Sequence, residues 1–474
     1  MSKPASTPSD PLREVEHAVL PVCDPATDQV VGEVPCQGPA DVADAVDRAA
    51  SAQPDWAGRP TMERAEIVSE VGRRLREDDR ALSRLITAEQ GKPLGESEAE
   101  IAYAASFFEV AAAEIGAIVP EEIVMTGKRA TIEYRPMGVT AAITPWNFPL
   151  AMLAKKAAAA LATGCGQIVK PAEQTPLTAI RFAEIAASAG VPDGIIQILT
   201  GDPDPLGDAI LRDPRVRRFS FTGSTEVGRL LMSRAARQPL PVSLELGGHA
   251  PLLVFDDADL DRAIEVTMAA KFRNAGQTCI APNRILLQSG IHDRYVEALS
   301  RRAAALTSGR GVDGVDLGPL IDDAAVAKVE THVGDAEEHG GDIVLGGGRR
   351  SLPGLADRFP EPTIILGADP RMLCWREETF GPVCPIRRFE TAEEGIRLAN
   401  DSSYGLAAYV VCGSASQGAR IAQSLEYGIV GVNDGLPAVA QVPFGGVKHS
   451  GFGREGGRLG LHEYLVPTTI SRVD

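Results

Sequence analysis

The seven cysteines include no Cys-x-x-Cys pair, and they are odd in number and scattered (Cys23, Cys36, Cys165, Cys279, Cys374, Cys384, Cys412). Neither a disulfide framework nor a zinc site is expected from that pattern. The seven histidines are dispersed too, without a His-x-x-x-His or His/Asp cluster, and no metal is expected. No Lys/Arg cluster is dense enough to override a formal net charge of −17, so nucleic acid is not an expected partner. Long apolar runs are missing as well. The longest, about residues 150–164, is interrupted by Lys155 and Lys156 and is too short to cross a bilayer. The first 20 residues are polar and Pro-rich, lack the apolar centre of a signal peptide, and read as a loose tail. These absences point to a reducing cytoplasm and away from a membrane.

What is present is a chain of 474 residues, long enough for two or three compact units with an ample core. Hydrophobic residues at 44% and charged residues at 23% fit an ordinary globular protein. Residues 21–36 alternate around Pro and Gly as in a short strand pair. Stretches 41–52 and 62–90 carry helical periodicity, and 95–118 predicts a long Ala-rich helix that buries Phe107 and Phe108. At 129–143 an alternating half is followed by a continuously apolar half, which suits an exposed strand and then a buried parallel one. From 139 to 246 the chain repeats strand, turn and helix, with strands at 139–144, 167–170, 195–199, 218–221 and 242–246. That alternation predicts a doubly wound parallel sheet, whose ligands bind beyond the carboxyl ends of the strands. Lys170, Glu173 and Ser224 fall at those ends. A second α/β pattern, about 249–448, carries Cys279, and the cleft between the two units is the expected site.

Cys279 lies in a polar, Gly-containing stretch, Lys-Phe-Arg-Asn-Ala-Gly-Gln-Thr-Cys, rather than in an apolar periodic run. A nucleophilic sulfur needs a base delivered by another loop. Glu245 qualifies, because it ends an apolar strand and precedes two glycines that let the backbone turn. The stretch Phe221-Thr-Gly-Ser-Thr225 turns from strand into helix, and its backbone N–H groups and the Ser224 hydroxyl can hold a phosphate or simply cap the helix. A formal G-x-G-x-x-G at Gly451, Gly453 and Gly456 lies too near the C-terminus to open a strand–helix–strand unit. A sharp turn near the active site is expected there instead.

Glu-Leu-Gly-Gly (245–248) followed by Phe-Arg-Asn-Ala-Gly-Gln-Thr-Cys (272–279) closely resembles the aldehyde dehydrogenase superfamily. So do Pro-Trp-Asn-Phe-Pro (145–149), Lys-Pro-Ala-Glu-Gln-Thr-Pro (170–176), Phe-Thr-Gly-Ser-Thr-Glu-Val-Gly (221–228), Glu-Glu-Thr-Phe-Gly-Pro (377–382) and Pro-Phe-Gly-Gly-Val-Lys-His-Ser-Gly (443–451). The resemblance runs from about residue 20 to the C-terminus. It implies an α/β fold with a Rossmann-type NAD-binding domain over 1–118 and 138–248 and an α/β catalytic domain over 249–448. A small β oligomerisation arm is implied from 119–137 and 460–474, with 465–471 as its partner strand and a homodimer or homotetramer as the assembly.

The resemblance also implies roles. Cys279 attacks the aldehyde as a thiolate with a lowered pKa, the Asn147 amide and the Cys279 N–H hold the oxyanion, Glu245 activates water, and Glu455 relays protons. Trp146, Lys170, Glu173, Gly223, Ser224, Glu378 and Phe380 contact the cofactor, and the Glu173 carboxylate, which would repel a 2′-phosphate, favours NAD over NADP. The sequence most resembles the succinate-semialdehyde dehydrogenase branch. Arg273 matches its carboxylate-binding arginine, Lys155 stands where a second arginine is usual, and Ala438 replaces a serine. Ala281 occupies the place of a redox-switch cysteine, so no such switch is expected. The expected substrate is a small acid semialdehyde. Alternatives are an uncharged hydroxy- or aromatic aldehyde, a cofactor-independent Cys hydrolase, and a non-catalytic descendant.

Overall fold

The computed structural model describes residues 18–473. The tail read at the N-terminus therefore lies, through residue 17, outside the described residues, as does residue 474. The repeats at 139–246 fold as a parallel sheet in the order Val242–Glu245, Val216–Thr222, Val139–Ile143, Gly166–Lys170, Ile196–Ile198. Strand order reverses between the first strand, Val139–Ile143, and the fourth, Val216–Thr222, and a ligand crevice opens at such a switch point. The five predicted strands agree with the observed ones within about two residues. A sixth strand, Gly451–Phe452, pairs antiparallel at the edge and sets Gly451 opposite Glu245. The glycine-rich stretch thus opens on an edge strand beside Glu245, rather than the sharp turn expected, and a Cβ on Gly451 would stand 1.9 Å from Leu244 O.

Residues 250–432 form a seven-stranded sheet in the order Asp342–Leu345, Thr363–Leu366, Val383–Phe389, Pro282–Gln288, Ala250–Val254, Ala407–Val411, Ile429–Val432. Its strands are parallel except at the Asp342–Leu345 edge. A core of fully buried Leu252, Leu253, Ile285, Leu286, Tyr409 and Val410 explains the continuous apolar runs in these strands.

Stretch 62–90 forms two helices, Thr61–Glu77 and Asp79–Gln90, rather than one. The break at Asp78 lets the second helix turn and present Glu89 inward. Helices Pro149–Thr163 and Pro176–Ser188 both begin with Pro and have no side-chain cap of their own. Their first free N–H groups are capped from a distance. Glu100 Oε1 accepts from Leu150 and Ala151 at 2.9 and 3.0 Å, and Glu89 accepts from Leu177 and Thr178 at 2.8 and 3.0 Å. A carboxylate placed there also answers the positive end of the helix dipole. Glu100 belongs to Leu94–Ile115, whose Phe107 and Phe108 are buried as expected.

A separate three-stranded antiparallel sheet consists of Glu121–Met125, Lys128–Pro136 and Leu465–Val473. The last two pair from Leu465 opposite Pro136 to Val473 opposite Lys128, two residues beyond the predicted partner strand. Ile123, Val124, Met125 and Val466 on this sheet are exposed.

Candidate active site

The strand register brings the predicted residues to one edge. Ile143 lies opposite Lys170 on one side and Phe221 on the other, and Thr222 lies opposite Glu245. The segments that leave these strands carry Trp146 and Asn147, Glu173, Gly223 and Ser224. Lys170 is buried and ion-pairs with Glu173. Ser224 Oγ accepts from Val227 N at 3.2 Å, so the hydroxyl serves as the helix cap. The first N–H groups of Thr225–Ala235 are then what that turn offers an anion.

The second wall closes on the first through Gly248. A Cβ on Gly248 would stand 2.0 Å from the Cys279 carbonyl oxygen, so only glycine allows this approach of the two loops. Glu378 from the second wall accepts from Gly248 N at 3.0 Å, and burial pushes its carboxyl up to about 7. Phe380 meets Trp146 edge-to-face with ring centroids 5.6 Å apart.

Cys279 is half-buried. Burial pushes its thiol up to about 12, against the pull of Lys155, the strongest of the neighbouring cations. This corrects the expectation of a lowered pKa. In the free protein the thiol is therefore expected to hold its proton at neutral pH. Alkylation of Cys279 by iodoacetamide in the cofactor-free protein is accordingly expected to gain about tenfold per pH unit between pH ~7 and ~10. A rate that levels off below pH ~8.5 would contradict this.

Asn147 is buried, and its Nδ2 donates to Gln277 O at 3.0 Å, two residues before the cysteine. Gln277 is itself held, accepting from Ile321 N at 3.0 Å and donating to Asn274 O at 3.1 Å. Asn274 and Ala275 take positive φ values of 52° and 53°, a kink at the turn leading into the cysteine loop.

Glu245 is buried, and neither carboxyl oxygen has a hydrogen-bond partner among the described residues. Burial, and then the neighbouring Glu455 carboxylate, raise its pKa well above the ordinary carboxylate range. Glu455 ion-pairs with Lys156, whose Nζ also donates to Thr222 Oγ1 at 2.6 Å. Lys155 Nζ is buried without a hydrogen-bond partner among the described residues, 3.4 Å from the centre of the Phe444 ring and 5.6 Å from that of Phe107. Arg273 lies over Phe148 at 5.2 Å, and its buried Nε is also unpartnered among the described residues.

The aldehyde dehydrogenase family description matches residues 13–470. The chain belongs to the aldehyde dehydrogenase family. Like its relatives, this aldehyde dehydrogenase is an oxidoreductase that acts on aldehydes with NAD(P). It is 47% identical to the mitochondrial succinate-semialdehyde dehydrogenase of Arabidopsis thaliana, over 96% of this chain and 86% of the relative. It is 46% identical to the succinate-semialdehyde dehydrogenase [NADP(+)] GabD of Escherichia coli K12, over 94% of this chain and 92% of the relative. The crystal structure of a succinate-semialdehyde dehydrogenase from Burkholderia pseudomallei superposes with a TM-score of 0.94 at 45% identity, covering 96% of this chain and 95% of that one.

The residues at the first wall fit a dinucleotide. The buried Thr144 hydroxyl has no partner among the described residues at the end of the first strand, the Lys170–Glu173 pair offers a donor and an acceptor, and a helix N-terminus faces the same edge. Among the described residues no group of His, Cys, Asp and Glu could hold a metal ion, and no helix is long and apolar enough to cross a membrane.

Sequence reasoning missed Lys156 and Ser220 as partners of Glu455. The available signal was the pair of adjacent lysines inside an Ala-rich run. Helix Pro149–Thr163 is buried along its whole length, so each of those ammonium groups needs an internal answer.

Proposed function

We propose that this aldehyde dehydrogenase oxidises a small acid semialdehyde, such as succinate semialdehyde, to the free dicarboxylic acid with NAD. The observation that carries the substrate class is the pair of unsatisfied cationic nitrogens, Arg273 Nε and Lys155 Nζ, close enough to bias the Cys279 thiol. A guanidinium fork and an ammonium, both short of acceptors, suit a substrate with a carboxylate at its far end. Relatives named for succinate semialdehyde and glutarate semialdehyde support the same reading.

Cys279 Sγ gives its proton to solvent water and adds to the aldehyde carbon, and the carbonyl oxygen becomes an oxyanion that the Asn147 amide and the Cys279 N–H receive. The bound dinucleotide supplies a hydride acceptor, with Trp146, Lys170, Glu173, Gly223, Ser224, Glu378 and Phe380 holding it in place. Glu245 then takes a proton from water, which hydrolyses the Cys279 thioester, and the Glu455–Lys156 pair receives that proton from Glu245. Glu173, paired to Lys170, carries negative charge where a 2′-phosphate would sit, and this supports NAD over NADP. The exposed apolar residues of the three-stranded sheet support a homo-oligomer that covers them.

NADH formation is measured across succinate semialdehyde, glutarate semialdehyde, glycolaldehyde, benzaldehyde and propanal, with NADP in parallel. Preference for the acid semialdehydes with NAD is expected. Preference for an uncharged aldehyde would overturn the substrate class, and equal rates with NADP would overturn the role of Glu173. Arg273→Leu is expected to raise KM for succinate semialdehyde by about 10- to 100-fold, the worth of a charge-assisted hydrogen bond, with little change for propanal. Equal losses for both aldehydes would show that Arg273 does not read the distal carboxylate.

A further inference from the structure

Stretch 90–100 joins the two walls of the cleft, and the reaction proposed above does not draw on it. Lys92 and Glu100 are both buried, with Lys92 Nζ 2.7 Å from Glu100 Oε2. A buried ion pair recovers its desolvation cost only when further hydrogen bonds satisfy both partners. Here those bonds go to the loop that carries Asn147. Lys92 Nζ donates to the Asn147 carbonyl oxygen at 2.7 Å and lies 3.9 Å from the centre of the Phe148 ring. Glu100 Oε1 accepts from Leu150 N and Ala151 N in the next turn.

The same stretch grips the opposite wall. Gln90 Nε2 donates to Asn274 Oδ1 at 3.1 Å, and Glu96 accepts from Asn274 N at 2.7 Å. Asn274 Nδ2 donates in turn to the Asn147 carbonyl at 3.0 Å. That carbonyl therefore takes one hydrogen bond from the buried ion pair and one from the cysteine loop. The peptide that bears the Asn147 side chain is pinned from both sides.

We propose that Lys92 and Glu100 are positioning residues: as an ion pair they fix the 147–151 backbone so that the Asn147 amide faces the oxygen that turns anionic when Cys279 adds to the substrate. This rests on the role given to Asn147 above. The pair touches neither thiol nor substrate and acts through Asn147 alone. Oxyanion donors must be in place before charge develops, because reorganisation during the reaction forfeits their effect. A neutral pair of similar shape fills the same space but leaves the Asn147 carbonyl with one donor.

The test compares the full-length protein with Lys92→Met, Glu100→Gln and the double variant. Each is assayed for thermal midpoint, for kcat and KM in aldehyde oxidation, for hydrolysis of p-nitrophenyl acetate, and for alkylation of Cys279 by iodoacetamide. Ester hydrolysis forms a comparable oxyanion without cofactor. Alkylation forms none, so it reports an intact cleft. Each single variant strands a buried charge and is expected to melt earlier. The double variant is expected to regain the thermal midpoint yet lose about 10- to 100-fold in kcat in both reactions, as for a displaced reacting group. Its KM and alkylation rate are expected to stay within about threefold, the mark of an interaction made only in the transition state.

The proposal is overturned if the double variant keeps kcat in both reactions, or if alkylation falls in step with kcat. Should the double variant not fold, Lys92→Met, which likewise leaves the Asn147 carbonyl with one donor, carries the same comparison. A wild-type protein that hydrolyses the ester but oxidises no aldehyde would strike the proposed substrate reaction. The same fall in ester hydrolysis in the variants would still support the positioning role.

Discussion

Glu245→Gln is expected to form about one equivalent of NADH per active site and then turn over about 10²- to 10⁴-fold more slowly, the range for a lost general base. Gln keeps the size of the side chain in a site where both carboxyl oxygens lack partners among the described residues, so the structure loses little. Addition of Cys279 and oxidation of the adduct need no water. Hydrolysis of the thioester does, and the acyl-enzyme therefore accumulates. Rapid mixing reads the NADH burst, and intact mass reads the acyl group on Cys279. The pH dependence has a definite sign. Glu245 works deprotonated, and burial together with Glu455 lifts its pKa. Between the ordinary carboxylate range and that raised value, the ionised fraction and wild-type hydrolysis both gain about tenfold per pH unit. The Gln variant loses this limb. Steady turnover within tenfold of wild type would remove Glu245 from the role of base.

Asn147→Ala is expected to lower kcat by about 10²- to 10³-fold, the usual loss for one oxyanion donor, without a burst. The absence of a burst separates it from Glu245→Gln, because the oxyanion forms in the first step. Folding should suffer little, since the partner it leaves, Gln277 O, retains Asn274 Nδ2 as a donor at 3.3 Å. kcat and kcat/KM should fall together, as for a contact made only in the transition state. Unchanged alkylation of Cys279 would confirm that the thiol has not moved. A variant that keeps wild-type kcat would leave the oxyanion to other donors.

The parallel sheet at 139–246 was legible in the sequence because its strands are buried on both faces and bounded by Gly or Pro turns, a pattern that needs no distant information. The loops with Asn147, Glu245 and Cys279 were legible for a different reason. Cys279 falls outside the local apolar pattern and Glu245 interrupts it, and such conflicts concentrate at functional sites, whereas Asn147 was read through the family resemblance alone. Charge partnerships were not legible. Lys156 finds Thr222 66 positions away and Glu455 299 positions away. Glu100 caps a helix that starts about 50 positions later. Periodicity places a charged residue on a helix face but says nothing of what the fold lays against that face. The direction of the Cys279 pKa was missed likewise, because the desolvation that raises it comes from segments distant in sequence.

The pairing of Gly451 with Glu245, and of the C-terminal strand with Lys128–Pro136, also orders events in time. A ribosome delivers Cys279 roughly 170 residues before Gly451. At about 5–20 residues per second, that interval is of the order of 10–30 s. Throughout it the nascent chain carries its nucleophile with the edge beside Glu245 open and with neither Glu455 nor the last strand yet made. A chain cut short by a stop codon or a protease before residue 451 would hold the thiol and the base but not the wall that encloses them. The wall beside Glu245 that Gly451 and Glu455 build is thus made only after the thiol and the base are already in the chain.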